Sequence, residues 1–414
     1  MKICGMILLV DDEGGVDMTT HRPVWVEISL DHIAHNVKQI RNRVGDDVLF
    51  MATVKGDGYG HGAYEVAKTA LQNGADSLAV ATLDEGIELR RKGISVPILI
   101  LGLSLEEAVE EVIEYDLRQT VCDAALAKAL SEAAKKAGKT AVVHLKVDTG
   151  MNRIGVQPGE VADVAKEILE ISHVELEGVF THFATAYFER DFTLEQFSRF
   201  EAALKNLEKE GIRIPIRHCA NSGGVINFPE TYLDQIRPGS ILVMPLPAQE
   251  PENHLELLYA FVWKTKVVHV RPLKKGESVG YNRVYTADSD RMIAVLPVGW
   301  GDGLPPDLGN RGEVLIQGKR CPYLGQLCMD QSMVDVTHLK GVTPGEEVVL
   351  LGPQGKDEIS HLEWANHAEG QYNHVILRCL VTKRVPRVYF VEGKQAGYRS
   401  PLRPELEKAI DGFD

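Results

Sequence analysis

The chain has 414 residues, with 45 Lys and Arg against 59 Asp and Glu, and so carries a formal net charge of −14. Hydrophobic residues make up 44% and charged residues 25%, which is a globular composition and excludes a disordered chain. Net acidity argues against a nucleic-acid partner, because phosphate backbones are bound by concentrated Lys and Arg. At roughly 100–200 residues per domain, the length predicts two or three domains, or one large α/β barrel with an appendage.

The first residues and the cysteines indicate the cellular compartment of the protein. Six cysteines are scattered without a C-x-x-C pair, so neither a zinc knuckle nor a disulfide framework is indicated. We interpret residues 1–22 as a leader and not as a signal peptide, because acidic residues directly follow its apolar stretch, Ile3–Val10. No run approaches the roughly 20 apolar residues of a membrane span. We therefore predict a cytoplasmic protein with no membrane partner.

From residue 47 to 243, short apolar runs alternate with helical stretches, which is typical of βα units around a parallel sheet. Eight runs is the number that closes a TIM barrel. They are 48–55, 76–81, 96–102, 118–123, 141–148, 174–182, 216–222 and 235–243. Amphipathic helices are predicted at 29–44, 62–74, 123–139 and 193–211. The alternative, an open doubly wound sheet, usually shows G-x-G-x-x-G after its first strand, and here that loop reads KGDGYGHG.

After about residue 255 the pattern changes to Val-, Thr- and Tyr-rich runs separated by Gly and Pro, with no long amphipathic helix. Such runs indicate an antiparallel β domain. The predicted architecture is α/β: a (β/α)8 barrel followed by a C-terminal antiparallel β domain. We place the leader at 1–22, the barrel at 23–255, the β domain at 256–390 and a polar tail at 391–414.

Polar residues stand at the strand ends, where TIM-barrel enzymes build their active sites. Side chains two residues apart share a face of a strand, so His144, Lys146 and Asp148 are predicted to point into the barrel. Lys55, in phase with Thr53, is predicted to do the same. A buried, unpaired ammonium costs several kcal/mol, so each lysine needs a partner, a shifted pKa or a covalent modification.

Two loops suit an anionic ligand. The loop after Lys55 has glycine at every second position, which lets the backbone approach a ligand closely, although a flexible turn is the simpler interpretation. The segment 237–240 (RPGS) lies where barrels often bind phosphate, and Ser222 could add a hydroxyl. A lysine able to form a Schiff base, opposite a phosphate site, is the layout that pyridoxal 5′-phosphate (PLP) requires.

At these residues the sequence resembles the alanine racemase family of fold-type III PLP enzymes, from about residue 22 to 390. The matching blocks are VKGDGYGHG (54–62), LKVDTGMNRIG (145–155), THFATA (181–186), HCANSGG (218–224), SVGYNRVYTA (278–287), LCMDQSMVD (327–335) and RVPR (384–387). The resemblance implies a PLP-dependent amino-acid racemase that interconverts L- and D-alanine by a two-base mechanism. It also implies a homodimer with shared active sites.

The resemblance assigns roles to individual residues. It implies that Lys55 is the Schiff-base lysine, that Tyr281 is the second catalytic residue and that Lys146 is carbamylated. Arg153 and Met329 would contact the substrate, with Tyr281 and Met329 entering from the other subunit. No metal is implied. The implied cofactor contacts are Lys55, Tyr59, Arg153, His182, His218, Asn221, Ser222, Arg237 (at the pyridine nitrogen), Gly239 and Ser240.

The chain departs from the family's motifs near the entrance and the phosphate region. Racemases of serine or lysine therefore stay open as alternatives. The family usually has Ala at Gly56 and Gly58, Tyr at Trp300, Arg near Gln326 and Tyr at Val375, where Tyr372 is the nearest substitute.

Three other functions fit the sequence less well than an amino-acid racemase. A metal-dependent barrel hydrolase could use the inward His and Asp side chains with Lys146, but the first strand lacks the H-x-H that such hydrolases usually show. A non-enzymatic PLP-binding protein would be a single barrel, and the second domain with Tyr281 argues against it. A fold-type III decarboxylase uses a glutamate at the pyridine nitrogen, whereas this chain has Arg237.

Overall fold

The computed structural model describes residues 22–246, 248–367, 380–404 and 407–410. The chain divides into two compact units: a barrel unit, His32–Tyr259, and a β unit that combines the residues before it with those from Ala260 onward. Strand β1 (Val24–Ser29) belongs to the β unit, whereas the sequence-based boundaries placed it with the barrel. Within the described ranges, no helix is long and apolar enough to cross a membrane.

The barrel unit is a closed ring of parallel strands, and each strand lies within one of the predicted runs. The strands are β2 (Leu49–Thr53), β3 (Ser77–Val80), β4 (Ile98–Ile100), β5 (Arg118–Val121), β6 (Ala141–Lys146), β7 (Val174–Phe180), β8 (Ile216–His218) and β9 (Gln235–Ile236). Pairing of Phe50 with Ile236 closes the ring. The predicted TIM barrel is therefore confirmed. Strand β9 is shorter than its run because Pro238 lacks an N–H donor and the chain turns into a helix.

Helices follow the strands and cover the barrel. They are α1 (Leu30–Val44), α2 (Ala63–Gln72), α3 (Leu83–Arg91), α4 (Val109–Glu114), α5 (Ala124–Ala137), α6 (Val161–Leu169), α7 (Arg190–Lys209), α8 (Ser222–Asn227) and α9 (Ser240–Val243). Asp123 caps α5 by accepting the N–H groups of Ala125 and Leu126, and Gly138 ends the helix in the left-handed region. The four predicted helices are confirmed, with ends that differ by no more than three residues.

Side chains fill the barrel interior. Met51, Ala79 and Leu99 pack into one cluster. His144 and Lys146 are buried, and His144 reaches His218 past the intervening strand β7. The inward direction predicted for β6 from strand alternation is therefore correct.

The β unit is mainly antiparallel, as predicted. Its strands after β1 are β10 (Phe261–Lys266), β11 (His269–Leu273), β12 (Ser278–Val279), β13 (Tyr285–Thr286), β14 (Arg291–Leu296), β15 (Glu313–Ile316), β16 (Lys319–Pro322), β17 (Ser332–Asp335), β18 (Glu347–Gln354), β19 (Asp357–Ile359), β20 (Arg387–Val391) and β21 (Lys394–Arg399). A short helix, α10 (His361–His367), follows β19. The large sheet runs β16-β15-β18-β10-β1-β20-β21, with β19 paired to β18. Strand β1 pairs antiparallel with β10 and parallel with β20.

The segment interpreted as a polar tail takes part in this sheet. Strand β21 pairs with β20, and Tyr398 packs against Trp25 and Val388. Hydrophobic burial of Tyr398 therefore holds this segment in the fold despite its polar composition.

Candidate active site

Lys55 begins a tight left-handed turn directly after β2. The four residues from Gly56 to Tyr59 all have positive φ, between 55° and 62°. Glycine adopts this conformation freely, but Asp57 and Tyr59 do so at a cost of about 1–2 kcal/mol each. Backbone hydrogen bonds from Gly58 to Val54 and from Gly60 to Gly56 close the turn. The loop therefore has a defined conformation that positions the half-buried Lys55.

Glu85 anchors this turn from the start of α3. One carboxylate oxygen accepts the Gly56 N–H at 2.7 Å. The other accepts the N–H groups of Ala81 at 2.7 Å and Thr82 at 3.3 Å. Sequence reasoning missed Glu85, although Thr82 and Glu85 form a T-x-x-E capping box whose spacing was visible in the sequence.

Hydroxyl groups gather around Gly239. The Gly239 N–H donates to Ser222 Oγ at 2.9 Å, and Tyr187 Oη lies 3.2 Å from Ser240 Oγ. A Cβ at Gly239 would collide with the Tyr59 hydroxyl, so only glycine fits here. Burial raises the pKa of Tyr187 to about 12, which keeps its hydroxyl protonated. We call these five residues the hydroxyl cluster.

The sequence resemblance pointed to four of the five residues of this cluster as cofactor contacts, and the structure brings these four together; it did not point to Tyr187. Tyr187 directly follows the THFATA block, and its position one residue beyond that motif was the available signal. The cluster joins the turn after Lys55 to α8 and α9.

Arg237 is buried at the end of β9. One terminal nitrogen donates to Nδ1 of His218 at 2.9 Å, and the other donates to the carbonyl of Thr181 at 2.8 Å. Burial lowers the pKa of Arg237 to about 10, so the group stays cationic at neutral pH. Its Nε donates to no acceptor in the described part of the chain.

His218 continues into a line of buried polar contacts. Its Nε2 lies 2.8 Å from Nδ1 of His144, and Nε2 of His144 lies 2.9 Å from the carboxylate of Glu177. Glu177 in turn accepts two hydrogen bonds from Arg118, at 2.6 and 2.9 Å. The sequence pointed to both histidines but to neither Glu177 nor Arg118.

Lys146 lies in a strongly positive environment. Its Nζ is 4.4 Å from the centroid of the Phe180 ring. Burial lowers the pKa of Lys146 well below its usual value, and the charges of Arg237 and Arg153 lower it further. The same effects hold the pKa of His182 well below 6.5, with burial as the largest cause. Burial and these charges therefore shift both groups toward their neutral forms.

Asp148 orders the loop after β6. Its Oδ1 accepts the N–H groups of Gly150 and Asn152, both at 3.0 Å. Arg153 follows with an exposed side chain. Asn221 has a comparable role at α8, where its Oδ1 accepts the Gly224 N–H at 3.0 Å. Asp148 and Asn221 thus hold the backbone beside the site.

The remaining predicted residues lie in the β unit. Tyr281 is 67% exposed and Met329 is 47% exposed. Tyr281 starts a single 3-10 turn after Gly280, whose φ is 73°. Asn282 beside it donates to Gln326 Oε1 at 3.0 Å. Trp300 is also exposed, whereas Tyr372 and Val375 fall outside the described residues.

The side chains that raised the question of a metal are used differently. His144 and His218 bond to each other, and Asp148 accepts backbone N–H groups. Across the ranges given above, no group of three or more His, Cys, Asp or Glu side chains could hold a metal ion.

Comparison with known proteins identifies relatives of this chain. Residues 28–247 match the family described as alanine racemase, N-terminal domain, and residues 260–389 match alanine racemase, C-terminal domain. Alanine racemase 2 of Caldanaerobacter subterraneus subsp. tengcongensis is 42% identical over 384 residues, covering 92% of this chain and 98% of that protein.

Solved structures of racemases are also similar to this structure over most of the chain. The structure of alanine racemase from Clostridium difficile 630 has a TM-score of 0.88 and 34% identity, covering 93% of this chain and 100% of that one. Histidine racemase from Leuconostoc mesenteroides subsp. sake has a TM-score of 0.80 and 30% identity, covering 90% and 99%. The matched domains span most of the sequence, and the chain belongs to the alanine racemase family.

Proposed function

We propose that this chain is a PLP-dependent isomerase that interconverts L- and D-alanine. The observation that carries the proposal is the barrel mouth, where Lys55, the hydroxyl cluster and Arg237 lie together in a chain of the alanine racemase family. Relatives named alanine racemase match over nearly the whole chain, which favours alanine over the other amino acids considered.

The residues present fit PLP. The hydroxyl groups of the cluster offer donors for a phosphate, and the absence of a Cβ at Gly239 leaves the space beside them open. Arg237 offers its Nε–H to an acceptor such as a pyridine nitrogen. Lys55 carries an amine that can bind an aldehyde. Tyr59, Ser222, Gly239 and Ser240 would thus hold the phosphate end, and Arg237 the ring.

Racemisation needs two proton-carrying groups on opposite faces of the α-carbon, because the proton leaves one face and returns to the other. When bound, PLP withdraws the electron pair that the departing proton leaves behind. Lys55 serves one face and Tyr281 the other. A guanidinium does not give up its proton, so Arg237 keeps the acceptor that it faces unprotonated and a weaker electron sink. This weaker withdrawal favours proton return over side reactions.

Lys146 is the proposed carbamylation site. A neutral amine is the form that attacks CO2, forming an N–C bond and releasing one proton, and the low pKa of Lys146 supplies that form. The resulting carboxylate would neutralise part of the positive charge from Arg237 and Arg153. It would hold Arg153 toward the substrate side of the site, with His182 and Asn221 completing the wall.

Tyr281 and Met329 belong to the second half of the site. We propose a cytoplasmic homodimer in which a second copy supplies these residues. Their exposure in a single chain supports this arrangement, because groups that act on a substrate must be held in place and a second copy could cover and position these two.

Measuring racemisation of L-alanine by purified protein loaded with PLP tests the proposal. The expected product is an equal mixture of the two enantiomers. Serine, lysine and histidine are assayed in parallel, because Trp300 and Gln326 depart from the family pattern and a histidine racemase shares the fold. A protein that holds one PLP per chain and racemises none of these would overturn the proposal. A higher kcat/KM for another amino acid would replace alanine.

A further inference from the structure

A continuous line of side chains runs from Arg237 to the opposite part of the barrel wall. Arg237 donates to His218, His218 bonds to His144, His144 bonds to Glu177, and Glu177 pairs with Arg118, with separations between 2.6 and 2.9 Å. We call these five residues the polar column. Glu177 and Arg118 form its outer end, where their side chains are 18% and 19% exposed.

Glu177 reaches this line because strand β7 is irregular at that point. Val143 pairs with Leu176, but the next residue of β6, His144, pairs with Gly178. Glu177 therefore has no partner on β6 and sits in a β-bulge, which re-aims its side chain toward His144. A Cβ at Gly178 would collide with the His144 ring, so the glycine makes room for the histidine.

The donors and acceptors of the polar column permit only one placement of the hydrogens on the His144 and His218 rings. A carboxylate only accepts, so Nε2 of His144 must carry its hydrogen and Nδ1 must be a lone pair. Nε2 of His218 then donates to that lone pair, which leaves Nδ1 of His218 free to accept from Arg237. Both histidines are thereby neutral ε tautomers. The Glu177 acceptor at the outer end and the Arg237 donor at the inner end impose the same direction on every bond.

Arg118 keeps that acceptor charged. Burial by itself would raise the pKa of Glu177, but the hydrogen bonds from His144 and Arg118 outweigh it and lower the pKa to about 2. Burial also lowers the pKa of His144, against the opposing effect of Glu177. The pair is therefore a carboxylate facing a neutral imidazole at neutral pH.

We propose that Glu177 is a positioning residue for the cofactor site: it fixes the tautomers of His144 and His218, and through them it orients Arg237. The consequence for the cofactor rests on the proposed function. Without an acceptor at position 177, His218 could place an N–H at Nδ1, facing the Arg237 donor. Two donors repel, and Arg237 would lose the bond that holds its guanidinium.

The simpler alternative is that Glu177 only stabilises the barrel through its ion pair. The chain offers a matched control, because Asp234 accepts two hydrogen bonds from the Arg217 guanidinium, at 2.7 and 3.0 Å, and one from the Arg217 backbone N–H, at 2.8 Å. That pair lies in the same barrel at strands β8 and β9, but the structure gives it no contact with a histidine. Asp234→Asn should therefore lower stability without changing a tautomer.

The test uses 15N-histidine-labelled full-length protein without added PLP, with the signals of His144 and His218 assigned from His→Gln variants. Both should show the ε tautomer in the wild type and after Asp234→Asn. Glu177→Leu should shift one or both toward the δ tautomer. If Glu177→Leu does not fold, Glu177→Gln gives the same readout, because its amide can turn an NH2 group toward His144. Unchanged tautomers in the Glu177 variant, or a δ tautomer in the wild type, would overturn the proposal.

A second readout follows the site itself. After loading with PLP, Glu177→Leu should change the visible absorption maximum and lower kcat about 10–100-fold, the range measured when a partner that orients a ligand is lost. Asp234→Asn should leave both near wild type. Equal behaviour of the two variants would mean a purely structural role for Glu177. If no racemisation occurs in the wild type while the tautomers respond as expected, the proposed function fails and the tautomer assignment stands.

Discussion

The two units hold their candidate functional residues in opposite ways. In the barrel unit, buried hydrogen bonds fix Arg237 and Ser222, and the hydrogen bond from Gly56 to Glu85 fixes the turn after Lys55. In the β unit, Tyr281 and Met329 stand on turns with much of their surface exposed. Groups held by buried partners are already ordered before a ligand arrives, whereas exposed groups gain order only when another surface covers them. The proposed cofactor site is therefore ordered within the barrel unit, whereas the proposed groups of the β unit are open to solvent in a single chain.

The largest effect is expected at the centre of the barrel site. Lys55→Ala removes the amine that binds the cofactor and serves one face of the α-carbon, so racemisation should fall by at least about 1,000-fold. Borohydride reduction of the yellow wild-type protein should fix the cofactor on Lys55, as read by peptide mass spectrometry. A label on another lysine, or a colourless protein after PLP loading, would contradict the site assignment.

Tyr281→Phe tests the β unit's contribution. It removes one proton carrier and leaves the barrel site intact, so PLP affinity should stay unchanged while kcat falls about 100- to 10,000-fold. The loss should be greater in the direction in which the tyrosine acts as the base. Initial rates from L- and D-alanine give this asymmetry. Wild-type rates in both directions would remove Tyr281 from the mechanism.

Gly239→Ala tests whether the barrel site is rigid. Its Cβ would collide with the Tyr59 hydroxyl, so the cradle must open and PLP affinity should fall about tenfold or more. Gly159→Ala is the control, because nothing lies within 4 Å of a Cβ there. Fluorescence titration of the cofactor-free protein with PLP measures both variants. Equal affinities would show that the cradle yields easily.

The smallest effect is expected in the left-handed turn. Gly56→Ala places a side chain at a φ of 62° in open space, so the free energy of unfolding should fall by about 1–2 kcal/mol through backbone strain alone. Gly58→Ala should cost more, because its Cβ would also lie 3.0 Å from Val66. Urea denaturation of both variants gives the difference. A smaller loss for Gly58→Ala than for Gly56→Ala would contradict this account of the packing.

The sequence was most informative where the pattern is local. Apolar runs and helix periodicity predicted the barrel, and strand alternation predicted that His144 and Lys146 point inward, because both patterns repeat over a few residues. Motif resemblance identified Lys55, Arg237 and the residues around Gly239. In the structure these residues follow the barrel strands β2, β8 and β9.

Neither the pairing of strands far apart in sequence nor the irregular backbone could be predicted from such local patterns. Alternation along β7 points Glu177 outward, and only the bulge against β6 reverses it. Strand β1 was assigned to the barrel because it lies next to it in sequence, yet its partners Trp263 and Arg387 lie hundreds of residues later. Tyr187 sits just beyond a recognised motif and needed the fold to bring it to Ser240.

The place of β1 in the large sheet has a consequence for the order of folding. This strand precedes every other strand that the structure describes, but it lies between β10 and β20, so both of its neighbours are synthesised after the complete barrel. Domains tend to fold as units during synthesis, and the barrel can therefore close while β1 still lacks its pairing partners. The β unit is discontinuous in sequence, with the barrel inserted between its two segments, and the earliest of the described strands is among the last to gain its pairing partners.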